Sequence, residues 1–184
     1  MTPPRQGRPR RYGYEPARGF AHPVAAALVA ALDELTARHF DLIAGVAGDL
    51  LHRDPGSGFK SIAGATAHMI GAEAHWIEAV LGRDRPDEIR ELLDRAAADD
   101  DVTIAELEAT AGRVREEMTK PWLAPLADVD EEVPRGQRVL SVRGVLMHLV
   151  WHWAYHAGQC GLMAGLGGCE YEWALEGRMA GHAP

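Results

Sequence analysis

Val24, Leu28, Leu32, Leu35, His39, Leu42, Val46 and Leu50 recur at threes and fours along the chain, the spacing that gathers side chains on one face of an α-helix. Nothing longer than a few residues alternates with the two-residue period of a strand. A chain patterned in this way buries its apolar stripes by packing helix on helix. The period predicts one amphipathic helix over residues 24–52, ended by Asp54-Pro55-Gly56-Ser57-Gly58.

Ser61 is placed to cap a second helix carrying Ile62, Met69, Ile70, Trp76, Ile77 and Val80, which runs to about Gly82. A short acidic, alanine-rich helix is expected near residues 87–98. Thr103 and Glu106 fit a capping box, in which each side chain satisfies the other's free backbone donor, and open a helix to about Thr119. Residues 121–137, with three prolines and the acidic cluster Asp128 to Glu132, read as a long loop. Ser141 caps the last long helix, which carries Val145, Leu149, Val150, Leu162 and Met163 and stops at Gly167-Gly168. The expected fold is therefore all-α: four principal helices in a bundle, one short extra helix and a C-terminal extension. No internal repeat and no glycine-rich phosphate loop interrupts it.

A chain of 184 residues can bury about 70% of its unfolded surface, so it needs neither disulfides nor metal merely to fold. Any metal site then calls for a functional explanation. The formal charge of −8 argues against a nucleic-acid partner, and no apolar run reaches the length of a membrane span. The first 23 residues are the basic exception, with Arg5, Arg8, Arg10, Arg11 and Arg18 against Glu15. They lack the apolar stretch of a secretory signal and read as a flexible leader. The expected division is a leader over 1–23, a bundle over 24–168 and a tail over 169–184 that includes Tyr171 and Trp173. Two cysteines, Cys160 and Cys169, make no disulfide framework, and a cytoplasmic protein with reduced thiols is expected.

The chemistry concentrates in nine histidines. His148, His152 and His156 follow one another at intervals of four. On a helix, residues four apart lie one above the other, so two imidazoles can converge on one ion. All three cannot, because the outer two stand roughly 12 Å apart along the axis. Spacing leaves open which pair binds, and whether the rings merely pack. His68 lies on the second helix among the small residues Ala65, Ala72 and Ala79, which leave room for an ion and a facing helix. His75 is roughly 10 Å further along that axis, at the mouth of such a site or on the surface. His39, alone on an apolar face, reads as a hydrogen-bonded core residue, and Cys160 as a small buried hydrophobe. The sequence contains neither the E-x-x-H pairs of di-iron bundles nor H-E-x-x-H. Spacing alone assembles no nucleophile–base set.

Two stretches carry a resemblance: Ser61-Ile62-Ala63-Gly64-Ala65-Thr66-Ala67-His68-Met69-Ile70 with Trp76, and residues 141–159, from Ser141 through His148-Leu149-Val150-Trp151-His152-Trp153-Ala154-Tyr155-His156-Ala157-Gly158-Gln159. They resemble the DinB-like superfamily, which includes the mycothiol-dependent maleylpyruvate isomerases and the bacillithiol transferases. The resemblance spans about residues 24–166. It implies a four-helix bundle, commonly a homodimer, with one divalent metal ion, zinc or nickel, held by a histidine of the second helix and two residues four apart on the last. Carried over position by position, the ligands are His68, His152 and His156, and H-x3-H-x-G-Q ends at Gln159. His148 then stands one turn outside, in the cavity or behind the ligands, as do Tyr155, Gln159 and His75. Several relatives have glutamate where this chain has His152, and many have arginine where it has Ala157.

Three protein ligands leave a coordination position open, as catalytic metal sites do. The resemblance thus implies a transferase or isomerase using a low-molecular-weight thiol on a small-molecule substrate. A metal-dependent hydrolase and a non-catalytic, stress-linked metal-binding dimer are the alternatives, and no general acid or base is identified.

Overall fold

The computed structural model describes residues 15–98 and 101–169, with the short stretches 5–6, 10–11, 171–172 and 175–176. The expected leader and tail therefore fall largely outside the described residues. Where they enter, Arg5–Gln6 (β1) pairs in parallel with Tyr171–Glu172 (β5), and Arg10–Arg11 (β2) with Leu175–Glu176 (β6).

Helix α1 spans Pro23–Ile43. Its first free donor is met by His22, whose Nδ1 accepts from the backbone N–H of Val24 at 3.2 Å, and Pro23 occupies a first-turn position that needs no donor. The single helix expected to residue 52 is in fact broken. Residues 44–47 turn, and a four-residue helix α2 follows over Gly48–Leu51. Val46, Leu50 and Leu51 remain buried across the break, so the apolar period continues where the helix does not.

Helix α3, Ile62–Leu81, opens on Ser61, whose Oγ accepts from the Gly64 N–H at 3.1 Å. It closes on Gly82 at φ 61°, where Arg135 donates to the terminal carbonyls of Ala79 and Val80 at 2.6 and 3.4 Å. Helix α4 spans Asp87–Ala98. Helix α5, Ile104–Val114, carries the full Thr103/Glu106 capping box. It does not stop near residue 119: a widened π turn, Arg115–Thr119, leads into α6, Lys120–Leu123.

The loop expected over residues 121–137 thus needs two corrections. Pro121 is helical, in the first turn of α6 directly after the widened turn Arg115–Thr119. Further on, Val133–Arg135 (β3) pairs antiparallel with Arg138–Leu140 (β4) across a two-residue turn at Gly136-Gln137, with Gly136 at φ 59°. Helix α7, Val142–Leu166, starts from Ser141 Oγ accepting from Gly144 at 3.2 Å, and Gly167 caps it.

The result is an all-α bundle. Helix α7 packs against both α1 and α3, and α5 packs against α3 and α1. Phe40, Met69, Ile70, Ile77, Leu146 and Trp153 are among the buried residues where these helices meet, each large side chain worth roughly 1.5–3 kcal/mol when fully withdrawn from water. Gly161 lets α1 close on α7, since an added Cβ would stand 3.1 Å from Leu42 Cδ1. No helix among the described residues is long and apolar enough to cross a membrane.

Candidate metal centre

The contact between α3 and α7 brings three imidazoles together. His68 comes from α3, while His152 and His156 come from one face of α7. Ring centroids stand 4.9 Å apart for His68–His152, 5.1 Å for His68–His156 and 4.6 Å for His152–His156. One candidate ligand atom from each ring lies within 4.8 Å of the other two. The Nε2 atoms of His68 and His152 are 3.2 Å apart. Two nitrogens bound at roughly 2.0–2.1 Å to one tetrahedral ion would be separated by about 3.3–3.4 Å. These nitrogens therefore already have the spacing of a chelating pair.

Each ring is prepared differently. His156 Nδ1 lies 2.7 Å from Gln159 Oε1. A carbonyl oxygen only accepts, so Nδ1 carries the proton and donates, leaving the Nε2 lone pair free. His152 Nδ1 is buried and has no hydrogen-bond partner. Burial, followed by the neighbouring His156, His68 and His148 rings, pushes the His152 pKa down to about 4. Burial also lowers that of His68, aided by His156 and Lys60. His152 and His68 thus favour the neutral, electron-donating form that a metal requires. His68 is exposed and the other two are half-buried, so the cluster opens to solvent.

The remaining residues singled out from the sequence surround this cluster without entering it. His148 is exposed, 5.6 Å from the His152 ring and 5.3 Å from that of Trp76. His75 also packs edge-on against Trp76, at 5.5 Å, and Arg138 lies over the same indole at 5.2 Å. Tyr155 presents its ring to His156 at 5.1 Å and stacks on Trp151 at 5.8 Å. Cys160 is fully buried, and burial raises its thiol pKa to about 12, which rules it out as a neutral-pH nucleophile. Among the described residues the cluster contains no carboxylate.

His39 is the core residue its pattern indicated. It is fully buried, with Nε2 2.9 Å from Thr66 Oγ1. The Thr66 hydroxyl donates its own proton to Ile62 O at 2.7 Å, so His39 Nε2–H is the donor to Thr66. Burial drives the His39 pKa down to about 3.

One buried polar group escaped the sequence reading. Glu73 of α3 is buried and receives Arg115 Nε and Nη2, both at 2.7 Å, and the Thr119 hydroxyl at 2.7 Å. Arg115 also reaches Asp33 of α1 at 2.6 Å and Thr36 at 3.2 Å. Burial works to raise the Glu73 pKa, but the Arg115 charge and the hydrogen bonds outweigh it and the net shift is downward. The signal was a carboxylate four residues from Met69 and from Ile77, on the apolar stripe of α3. Its partner could not be named without the fold.

A family model described as Mycothiol-S-transferase matches residues 27–163. The chain belongs to the mycothiol-S-transferase family. It is thereby a member of the DinB-like superfamily, as the two histidine-bearing stretches indicated. The mycothiol-S-transferase match runs from the first turns of α1 to the last turn of α7 and includes all three converging histidines. No curated protein matches the chain.

Proposed function

We propose that this chain is a metal-dependent transferase that joins mycothiol, a low-molecular-weight thiol, to a small electrophilic substrate. His68, His152 and His156 would hold one divalent ion, zinc or nickel. The observation that carries the reading is the convergence of three imidazoles from two helices, with a chelating Nε2 separation of 3.2 Å between His68 and His152. The donor set fits: imidazole suits both metals, His68 and His152 favour their neutral form, and the Nδ1 of His156 is already committed to Gln159. Such an ion, when bound with a coordination position open, supplies a Lewis acid that lowers the pKa of a thiol placed against it.

The protein's own part is to hold and orient. Gln159 fixes the tautomer and plane of His156, as the outer hydrogen bond of a metal-bound histidine does. Tyr155, His148 and Trp76 border the opening. A homodimer is part of this reading. The lack of a carboxylate in the cluster favours a second reading, a metal-binding protein without turnover.

Elemental analysis of untagged protein separates these. One equivalent of metal is expected in the wild type, and its loss in His68→Ala, His152→Ala and His156→Ala. The wild type should then deplete mycothiol in the presence of an electrophile panel. A metal-loaded wild type that leaves both thiol and electrophiles unchanged eliminates the transferase and leaves the second reading. Metal-free wild type eliminates both.

A further inference from the structure

Two arginines face each other in the hairpin that precedes α7. Across the turn Gly136-Gln137, Arg138 stands directly opposite Arg135, and the side chains of such a pair share one face of the ladder, where like charges are unfavourable unless offset. Arg135 is offset by the carbonyl end of α3, donating to Ala79 O and Val80 O at 2.6 and 3.4 Å. That anchor fixes the hairpin against α3 and lays the exposed Arg138 over Trp76, with Cζ 5.2 Å from the ring centroid. Among the described residues Arg138 forms no ion pair.

Other cations are committed. Arg53, Arg85, Arg113, Arg115, Lys120 and Arg143 each hold a carboxylate. With 27 acidic against 19 basic side chains, the chain has acids to spare, and Arg138 takes none. A guanidinium laid on an indole has one face covered and keeps its N–H donors at the edge, in the planar fork that matches a carboxylate.

This platform stands beside the histidine cluster. Trp76 is 5.3 Å from His148, and His148 is 5.6 Å from His152. Trp76 follows His68 by eight residues, roughly 12 Å of rise, and helical side chains lean back toward the N-terminus, which puts the guanidinium on the order of 10 Å from the three rings. The fixed charge around the seam has one sign. Lys60 bears on His68 from the other end of α3, while Glu73 is buried against Arg115 and Glu78 is held by Arg85. No Asp, Glu, Lys or Arg occurs on α7 from Gly144 to Leu166. An anionic reactant is thus drawn toward the histidines.

We propose that Arg138, held flat on Trp76, is a specificity-determining residue that docks a carboxylate of the electrophile and selects small acids over neutral compounds of the same shape. The inference rests on the transferase reading above and names its substrate class: an electrophile with a carboxylate at one end of a short frame and the reactive carbon at the other, facing the histidines.

The matched probes are 4-(bromomethyl)benzoate and its methyl ester, with mycothiol as the common thiol. The thiol sulfur bonds to the benzylic carbon, bromide leaves with its electron pair, and the thiol proton passes to the buffer. On full, untagged, metal-loaded protein, kcat/KM for each probe is divided by its rate with mycothiol alone. The wild type should favour the acid about tenfold or more, the scale of a hydrogen bond to a charged group, and added salt should shrink the preference. Arg138→Gln should bring the ratio to about one, and Arg138→Lys, which keeps the charge without the fork, should restore only part of it. Arg53→Gln, an exposed cation just after α2, should leave the ratio unchanged. A wild type that treats acid and ester alike, a preference that survives Arg138→Gln, or one that Arg53→Gln also removes overturns the assignment. Ligand-observed NMR titration with 4-methylbenzoate needs no turnover, and its Kd should be about tenfold weaker in Arg138→Gln. If the wild type turns over neither probe, the transferase reading falls and the titration alone decides the carboxylate site: an equal Kd in the two proteins overturns it, and the expected loss sustains it.

Discussion

Replacing Glu73 with alanine strips three hydrogen bonds from a buried carboxylate and leaves the Arg115 guanidinium buried with only its links to Asp33 and Thr36. Removing one partner of a buried ion pair costs about 3–5 kcal/mol, because the survivor remains desolvated. Asp33 still offsets part of that charge, and its side chain is 39% exposed, so the lower end applies: about 3 kcal/mol. For a chain of this size about 1 kcal/mol moves the melting temperature by roughly 2–4 °C, giving a fall of about 6–12 °C. Urea unfolding and thermal circular dichroism at neutral pH, with metal saturating in both proteins, measure it. Glu73→Leu combined with Arg115→Met removes both charges together and should cost less than the two single changes added, with a coupling of about 2 kcal/mol or more. The pH dependence carries a sign. The folded pKa of Glu73 lies below its ordinary value of 4.5, so its contribution is present above pH 4.5 and is lost as pH falls toward the folded value. Acid unfolding of Glu73→Ala should lack that component. A single variant within about 1 kcal/mol of wild type, or a double variant whose cost is the plain sum, refutes the reasoning.

Two further outcomes follow from buried or half-buried imidazoles. His39 binds no proton in the folded state until about pH 3, against an ordinary value of 6.5, so the unfolded chain takes up the extra proton between those values. Its contribution is complete above 6.5 and declines on acidification by about 1.4 kcal/mol per pH unit; His39→Gln, which keeps a donor for Thr66, should flatten stability across that window in denaturant titrations. Gln159→Leu leaves all three candidate ligands in place but frees His156 Nδ1, and competition with a chromophoric chelator should show metal affinity weakened about 10- to 100-fold.

Much of this architecture is written locally. The caps at Ser61, Thr103 and Ser141 and the stop at Gly82 act over three or four residues, so their chemistry is visible without the fold. The break after Ile43 was hidden because Val46 and Leu50 turn inward on either side of it, keeping the apolar period intact. Pro121 belongs by composition to the three-proline stretch 121–137, yet it is helical, because the widened turn Arg115–Thr119 carries the helix on into α6. The histidine ladder shows the same limit. The four-residue spacing is local and therefore legible. Whether His148 or His156 joins His152 depends on how high α3 rides against α7, which only the packing decides.

That height is where the buried Glu73–Arg115 pair and the histidine cluster meet. Along α3, Glu73 follows His68 by five residues, roughly 140° around the axis, so one helix turns a carboxylate inward and an imidazole toward α7. The Arg115 and Thr119 contacts to Glu73 tie α3 to the widened turn after α5, and Arg115 extends the tie to Asp33 on α1. Because α1 also packs on α7, the clasp braces both helices that carry the converging histidines. A packed core shifts between discrete arrangements more readily than it deforms smoothly. The ionic clasp adds directional contacts to this packing: Arg115 and Thr119 hold Glu73 of α3, and Arg115 holds Asp33 of α1. If the clasp helps to set the height of α3 against α7, where His68 Nε2 stands 3.2 Å from His152 Nε2, Glu73→Leu combined with Arg115→Met should weaken metal affinity in a chelator competition even where stability is retained, and unchanged affinity refutes that role.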